Sequence, residues 1–417
     1  MNRVHPAVRR VLTPLALARL LVGWGSVALL PFAAALLRPP VPAPLLVAAL
    51  GVIVAVILFA ATGVVHQAER LAARLGDPYG SLVLTLSVVV IEVILICAVM
   101  LGPGEHAGIA RDSVMAVSMI ILNLVIGLCL LVGGVRHGAL AHHRTGASAY
   151  LAMLAVLGAL AFALPPVLGT GGAYRPGQAV VVALLALGSY AFFLSRQTGA
   201  QAHDFTEVDP RVRPGTEPHP AGAVRSPSSE LSAVPDRWPG ALPRYDARPG
   251  ASEESPRSRG GAARAEHRPE ILIRLLVLVV TVLPVVLLSH EMAALLDDGL
   301  GRAGAPPALA GVLIAAVVFL PESITSVRAA LAGEIQRVSN LCHGALVSTL
   351  GLTIPAVLVI GLLTDQRVVL AESPVTLVLL GLSLALSAIT FTAPRVTAVH
   401  GAAHLVVFAA YALSVFS

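Results

Sequence analysis

The sequence predicts an all-α polytopic membrane protein of about eleven transmembrane helices, one peripheral helix plus two inverted five-helix repeats. Three observations carry this reading. Apolar runs of membrane-spanning length recur along the chain, arginines alternate between crowded and sparse connections, and one long polar segment divides the runs so that each half holds a single acid inside its second run. With 56% hydrophobic and 12% charged residues and a mean hydropathy of +0.84, a soluble globular domain is excluded.

Runs long enough to cross the hydrocarbon fall at 15–36, 43–64, 79–101, 113–133, 147–168, 178–195, 270–290, 308–330, 339–363, 374–392 and 396–416. Arg3, Arg9 and Arg10 precede the first run. That run is too long for the apolar region of a signal peptide and no small-residue cleavage site follows it, so a retained helix is expected. Arg70 and Arg74, Arg136 and Arg144, Arg196, Arg328 and Arg337, and Arg395 follow alternate runs, whereas the opposite connections hold Arg38, Arg111, Arg175, Arg302 and Arg367 singly. The bias places the N-terminus in the cytoplasm and the C-terminus outside.

Between the sixth and seventh runs, Gln197 to Arg268 is rich in Pro, Gly, Ser and Arg without apolar periodicity, and reads as a disordered cytoplasmic linker. The expected organisation is therefore a peripheral helix in 1–40, five helices in 41–196, the linker in 197–268 and five helices in 269–417. Helices two to six begin outside and seven to eleven begin inside, so the two groups are inverted, a recurrent plan of secondary transporters with a midplane site.

The formal charge of +5 arises from arginine alone, since the chain has no lysine, and its place in short connections gives no reason to expect a nucleic-acid partner. Cys97, Cys129 and Cys342 are scattered inside apolar runs and fit packing rather than a disulfide framework or zinc site.

Glu92 lies near the middle of Gly76 to Leu101, and Glu322 follows Pro321 within Ala310 to Leu331. A carboxylate at such depth costs about 2.5–3.5 kcal/mol or more unless neutralised, paired or hydrated, and so marks a functional site. Pro321 removes a backbone donor and is expected to kink or interrupt its helix at the acid. Two carboxylates facing one cavity can hold a cation when ionised and protons when the cation leaves. A calcium ion needs about 6–8 oxygens, so Asn123 and Ser118 on the fourth helix and Ser348 and Thr349 on the ninth are candidates to complete the shell, with carbonyls freed near Pro321. Asn123 and Asn340 also suit bonding between helices, and His343, His400 and His404 suit either packing or proton relay. His290-Glu291 lacks the second histidine of a zinc-protease motif because position 294 is alanine. No nucleophile–base pair appears, so the chain is not expected to be an enzyme.

At GDPYGSLVLTLSVVVIEV and LPESITSVRAALAGEIQRVSNLCHGALVSTLGLTIP, and again at HQAERLAARLG and GAAHLVVFAAYALSVF, the chain resembles the ChaA-type bacterial calcium/proton and sodium-potassium/proton antiporters. These form part of the cation exchanger branch of the calcium/cation antiporter superfamily. The resemblance implies eleven helices with paired repeat glutamates, here Glu92 and Glu322, as the shared cation and proton site, and sets Ser348 where the wider family has a polar residue. Val89 and Phe319 stand where that family writes asparagine in G-N-x-x-E, which leaves Na⁺ or K⁺ open beside Ca²⁺.

The expected function is exchange of cytoplasmic Ca²⁺, or Na⁺ and K⁺, for external protons by alternating access, with Glu92, Glu322, Asn123 and Ser348 around the cation. A passive channel using the same acids as a constriction is the alternative, separated by whether protons flow in return. No permanently bound cofactor is expected. The partners are the lipid bilayer of the bacterial inner membrane, inorganic cations and protons; a homo-oligomer is left open.

Overall fold

Prolines and short polar caps start several of the helices. Helix α1 (Pro14–Ala33) opens on Pro14 with Thr13 Oγ1 accepting from the Ala16 amide, and helix α12 (Pro374–Thr392) repeats the device with Ser373 and Thr376. This is a computed structural model, and the residues it describes are 11–38, 40–75, 89, 92, 93, 96, 100, 107–207, 268–306 and 308–416.

The first half continues with α2 (Ala43–Leu75) and then the segment carrying Glu92, of which only positions 89, 92, 93, 96 and 100 are described, all helical. The next span is α3 (Ile109–Met119), a π-helical stretch at Ile120–Val125 and α4 (Ile126–His137), one helix whose register slips in the middle. It is followed by α5 (Arg144–Gly158), with a second π-helical stretch at Ala159–Ala163, then the single turn α6 (Pro165–Leu168) and α7 (Pro176–Thr198). The second half has α8 (Arg268–Arg302), α9 (Ala308–Ala332), α10 (Ile335–Ser348) joined through π-helical Thr349–Thr353 to α11 (Ile354–Thr364), then α12 and α13 (Ala398–Val415).

Among the described residues nine helices are long and apolar enough to span a membrane, and the bent pair in α9 makes a tenth. The expected run at 79–101 lies largely outside the described residues. Several helices outrun their apolar stretches. Helix α2 continues past Val64 to Leu75 because HQAERLAARL is built from strong helix formers, although it is too polar for hydrocarbon. Helix α9 bends by 59° between Leu309–Val317 and Glu322–Ala332, the break expected at Pro321.

Two apolar clusters organise the bundle. In one, Ile53, Ile57 and Ala60 of α2 meet Leu278, Val282 and Leu288 of α8, with α1 against both and the Trp24 indole donating to the Val280 carbonyl at 3.1 Å. The other takes in α3 to α7 and α9 to α13 around Met115, Ile126, Tyr150, Phe162 and Phe391. Close approach of α4 and α13 depends on Gly401, where a Cβ would meet the Leu131 amide nitrogen and the Gly127 carbonyl oxygen.

The connections gather at two ends in the alternation that the arginines imply. At one end strands β1 (Leu140–Ala141) and β2 (Arg395–Val396) pair antiparallel, and His137 Nε2 meets the Leu331 carbonyl at 2.8 Å. At the other, Val369 donates to Ala107, Leu370 donates to Gly172, and Arg367 donates to the Thr170 and Gly171 carbonyls. The expected linker begins later than 197. Helix α7 runs to Thr198, a 3-10 turn spans Ala202–Phe205, and the Asn340 side chain donates to the Phe205 carbonyl at 2.6 Å. The remainder, 208–267, and with it the expectation of disorder, lies outside the described residues.

Candidate functional site

Glu92 is 2% exposed, and its Oε2 accepts a hydrogen bond from Thr349 Oγ1 at 2.5 Å. The donor is the first residue of the π-helical stretch in the ninth run. Its helix is held in register by Gly351, whose missing Cβ leaves room for the Tyr190 ring of α7. Glu322 begins the second limb of the bent α9 and is half-buried. The two carboxylates lie within electrostatic reach of each other. Glu92 Oε1 and Glu322 Oε2 are both buried without a hydrogen-bond partner, and among the described residues no cationic side chain pairs with either.

Such a pair cannot remain fully charged out of water without a counter-charge. Protons or a cation would supply it. Among the described residues no group of three or more His, Cys, Asp or Glu side chains is arranged to hold a metal. Among the described residues, a cation held here would meet the two carboxylates and neutral oxygens.

Of the neutral candidates, Asn123 lies wholly buried in the first π-helical stretch, its Nδ2 donating to Ser383 Oγ at 2.7 Å while Oδ1 has no partner. Ser348 is already engaged: its hydroxyl donates to the Gly344 carbonyl at 2.9 Å and shares a 3.0 Å hydrogen bond with the Tyr190 hydroxyl. Its neighbour Thr349 is the hydroxyl that reaches Glu92. Ser118 donates to the Val114 carbonyl within its own helix. Val89 and Phe319, one helical turn before each glutamate, are 0% and 2% exposed, so both positions are filled by packed apolar side chains.

Tyr190, Ser383, Ser387 and Thr390 were not singled out by sequence. The last three carry a signal, since spacing of four and then three puts them on one face of α12, yet hydroxyls at that spacing are also ordinary helix–helix contacts. Asp298 accepts from the Val41 amide at 3.2 Å and pairs with Arg302 at 2.7 Å. Cys129 and Cys342 are free and buried, while Cys97 lies outside the described residues. At the end away from β1, Glu372 sits 3.9 Å from Arg111 Nε. Burial pushes its carboxyl up to about 7 against the opposing pull of Arg111.

Comparison with known proteins adds the following. Residues 45–199 and 273–417 match the family described as sodium/calcium exchanger protein. The chain is 29% identical over 361 residues to the sodium-potassium/proton antiporter ChaA of Escherichia coli, covering 87% of each chain. It is 33% identical over 352 residues to the putative ionic transporter y4hA of Sinorhizobium fredii, covering 84% of this chain and 83% of that one. Among solved structures, the Ca²⁺/H⁺ antiporter protein YfkE superposes with a TM-score of 0.61 at 15% identity, covering 96% of this chain and 98% of that one.

Proposed function

The chain belongs to the sodium/calcium exchanger protein family, and from that premise we propose that this multi-pass membrane transporter exchanges cytoplasmic Ca²⁺, or Na⁺ and K⁺, for external protons at Glu92 and Glu322. One observation carries the reading: two carboxylates within electrostatic reach, each with a buried oxygen that has no partner, and no cationic side chain beside them among the described residues.

Exchange follows from that arrangement. With a cation bound, both carboxylates are ionised and the charge is balanced; with the cation gone, protons take its place. The empty, doubly charged state is costly away from water, so the protein seldom changes sides without a load, and this couples the two fluxes. The broken α9 supplies a Glu322 limb that can re-aim, while Thr349 holds Glu92 in one orientation. The apolar cluster of α1, α2 and α8, which also takes in Ile314 of α9, is a body able to rock against the cluster of the remaining helices, with the bent α9 between them. The two halves act as inverted repeats in this scheme, with the β1–β2 end cytoplasmic.

Asn123 Oδ1, unpartnered and buried, is a neutral oxygen available to the cation. Relatives whose names state sodium-potassium/proton and Ca²⁺/H⁺ antiport both resemble the chain, so each ion is tested. In proteoliposomes with a preset pH gradient, external Ca²⁺, Na⁺ or K⁺ added separately should dissipate the gradient for at least one ion. A cation flux with no proton movement contradicts the proposal.

A further inference from the structure

Among the described residues, seven of the completely buried polar side chains form two stripes. Gln336, Ser339 and His343 recur at three- and four-residue spacing on α10, and Ser383, Ser387 and Thr390 do so on α12, with His404 of α13 beside them. Helix α5 packs on both α10 and α12. The stripe on α12 starts at Asn123, through the 2.7 Å bond to Ser383, and reaches Thr390, whose hydroxyl lies 3.3 Å from His404 Nε2. On α10, His343 Nδ1 is 3.0 Å from Ser339 Oγ. Gln336 accepts from the His143 amide at 2.8 Å and donates to Asn340 at 2.9 Å, at the end closed by β1 and β2.

Phe391 stands between the histidines of this end. Its ring centroid is 4.8 Å from that of His343 and 5.4 Å from that of His142, both edge-on. Five polar atoms along the seam are buried without a partner: Asn123 Oδ1, Ser387 Oγ, His343 Nε2, His142 Nδ1 and His404 Nδ1. Each is costly if left so. That is a large total for helices that apolar residues would pack as well, and it is recovered if water threads the seam.

We propose that this seam is a proton path, separate from the route of the cation, running from Asn123 to the β1–β2 end with His343 as its proton-carrying residue. It rests on the exchange reading above, for which it supplies the proton's route. A neutral imidazole accepts a proton at one nitrogen and releases the other proton from the opposite nitrogen, so His343 passes a proton between Nε2 and the Ser339 side without net change in charge, and regains its first tautomer before the next transfer. The titratable groups facing it are Tyr150 from α5, stacked with ring centroids 6.0 Å apart, His142 from the β1 connection and His404 from α13. Among the described residues no charged side chain is paired with it. Burial lowers the His142 pKa, which favours release of a proton at the β1–β2 end. The Phe391 wedge suits the same task, because a proton crosses on single waters where a hydrated cation does not fit.

The test uses the full chain in proteoliposomes and two assays: proton flux evoked by Ca²⁺, Na⁺ or K⁺, and counterflow of the same labelled ion at equal pH on both sides, which needs the cation site but no proton. His343→Gln should reduce proton flux about tenfold and leave counterflow near the wild-type rate. Ser387→Val, which puts an apolar side chain into the seam, should likewise lower proton flux and leave counterflow near the wild-type rate. Wild-type proton flux in His343→Gln overturns the path, as does equal loss of both fluxes, which marks a merely structural residue. If His343→Gln does not insert, Ser387→Val decides: loss of proton flux with counterflow kept supports the path, and proton flux at the wild-type rate overturns it. Absence of counterflow in the wild type removes the exchange reading and the path together, whereas intact counterflow beside unchanged proton flux removes the path alone.

Discussion

Glu92 and Glu322 each occupy the second apolar run of their half, yet their surroundings differ. Glu92 is buried at 2% exposure with a hydroxyl fixed on one oxygen, while Glu322 is half-buried at a 59° break with one oxygen buried and unpartnered. A carboxylate that accepts a fixed donor is held in one orientation; one at a helix break has backbone freedom to turn. In the proposed exchange the difference gives unequal tasks to two residues of the same type, with Glu92 as the anchor and Glu322 as the member that moves.

The largest effect that probes this comparison is loss of either acid. Glu92→Gln and Glu322→Gln should each lower cation-evoked proton flux by about a hundredfold or more, since neither carboxylate alone can balance the exchange. Full activity in one of them, measured beside unchanged folding by gel filtration, would break the pairing. Next is Thr349→Val, which keeps the volume and removes the donor. An unsatisfied buried carboxylate oxygen costs about 1–3 kcal/mol, so cation affinity should fall about tenfold, with Thr349→Ser restoring most of it. An equivalent fall in a Glu322 variant that already lacks exchange would not bear on the anchor role, so affinity is read by direct cation binding. Ser348→Ala should do less, about twofold, because its hydroxyl is engaged with Gly344 and Tyr190; a larger loss than in Thr349→Val would reverse the roles given to these neighbours.

The order of effects also shows what sequence alone conveys. The acids were legible because a charge inside an apolar run has few explanations, and the break at Pro321 followed from the missing amide donor. The limits of α12 were legible at both ends, because Ser373-Pro374 starts the helix and Ala393-Pro394 ends it. The choice between Ser348 and Thr349 was not. Two adjacent hydroxyls point about 100° apart on a helix, and a π-helical stretch shifts that direction without altering the apolar pattern that sequence reading uses. The polar seam was equally hidden, since serine and threonine in membrane helices signal close packing as readily as hydration. Helix ends beyond the apolar runs, as in α2 and α8, were missed because hydropathy marks the hydrocarbon and not the helix.

The smallest effect lies away from the membrane site, at Glu372. Its folded pKa of about 7 is above the ordinary glutamate value of about 4.3, so the native state binds this proton more tightly than the unfolded chain does. The resulting stabilisation is present in full at acid pH and is lost as pH rises through 7. Glu372→Gln should therefore raise the thermal midpoint in detergent by on the order of 2 °C at pH 8 and by little at pH 5. The opposite pH dependence would mean that the Arg111 contact outweighs burial.

The most direct test of a shared cation and proton site is proton release on binding. Purified protein in weakly buffered detergent solution is titrated with Ca²⁺, Na⁺ and K⁺ in turn while the pH is followed. For the transported ion, the wild type should release protons, with affinity weakening as the starting pH falls, and the Glu92→Gln, Glu322→Gln double variant should release none. Saturable binding of that ion with no proton released, at an affinity independent of pH, would contradict the account.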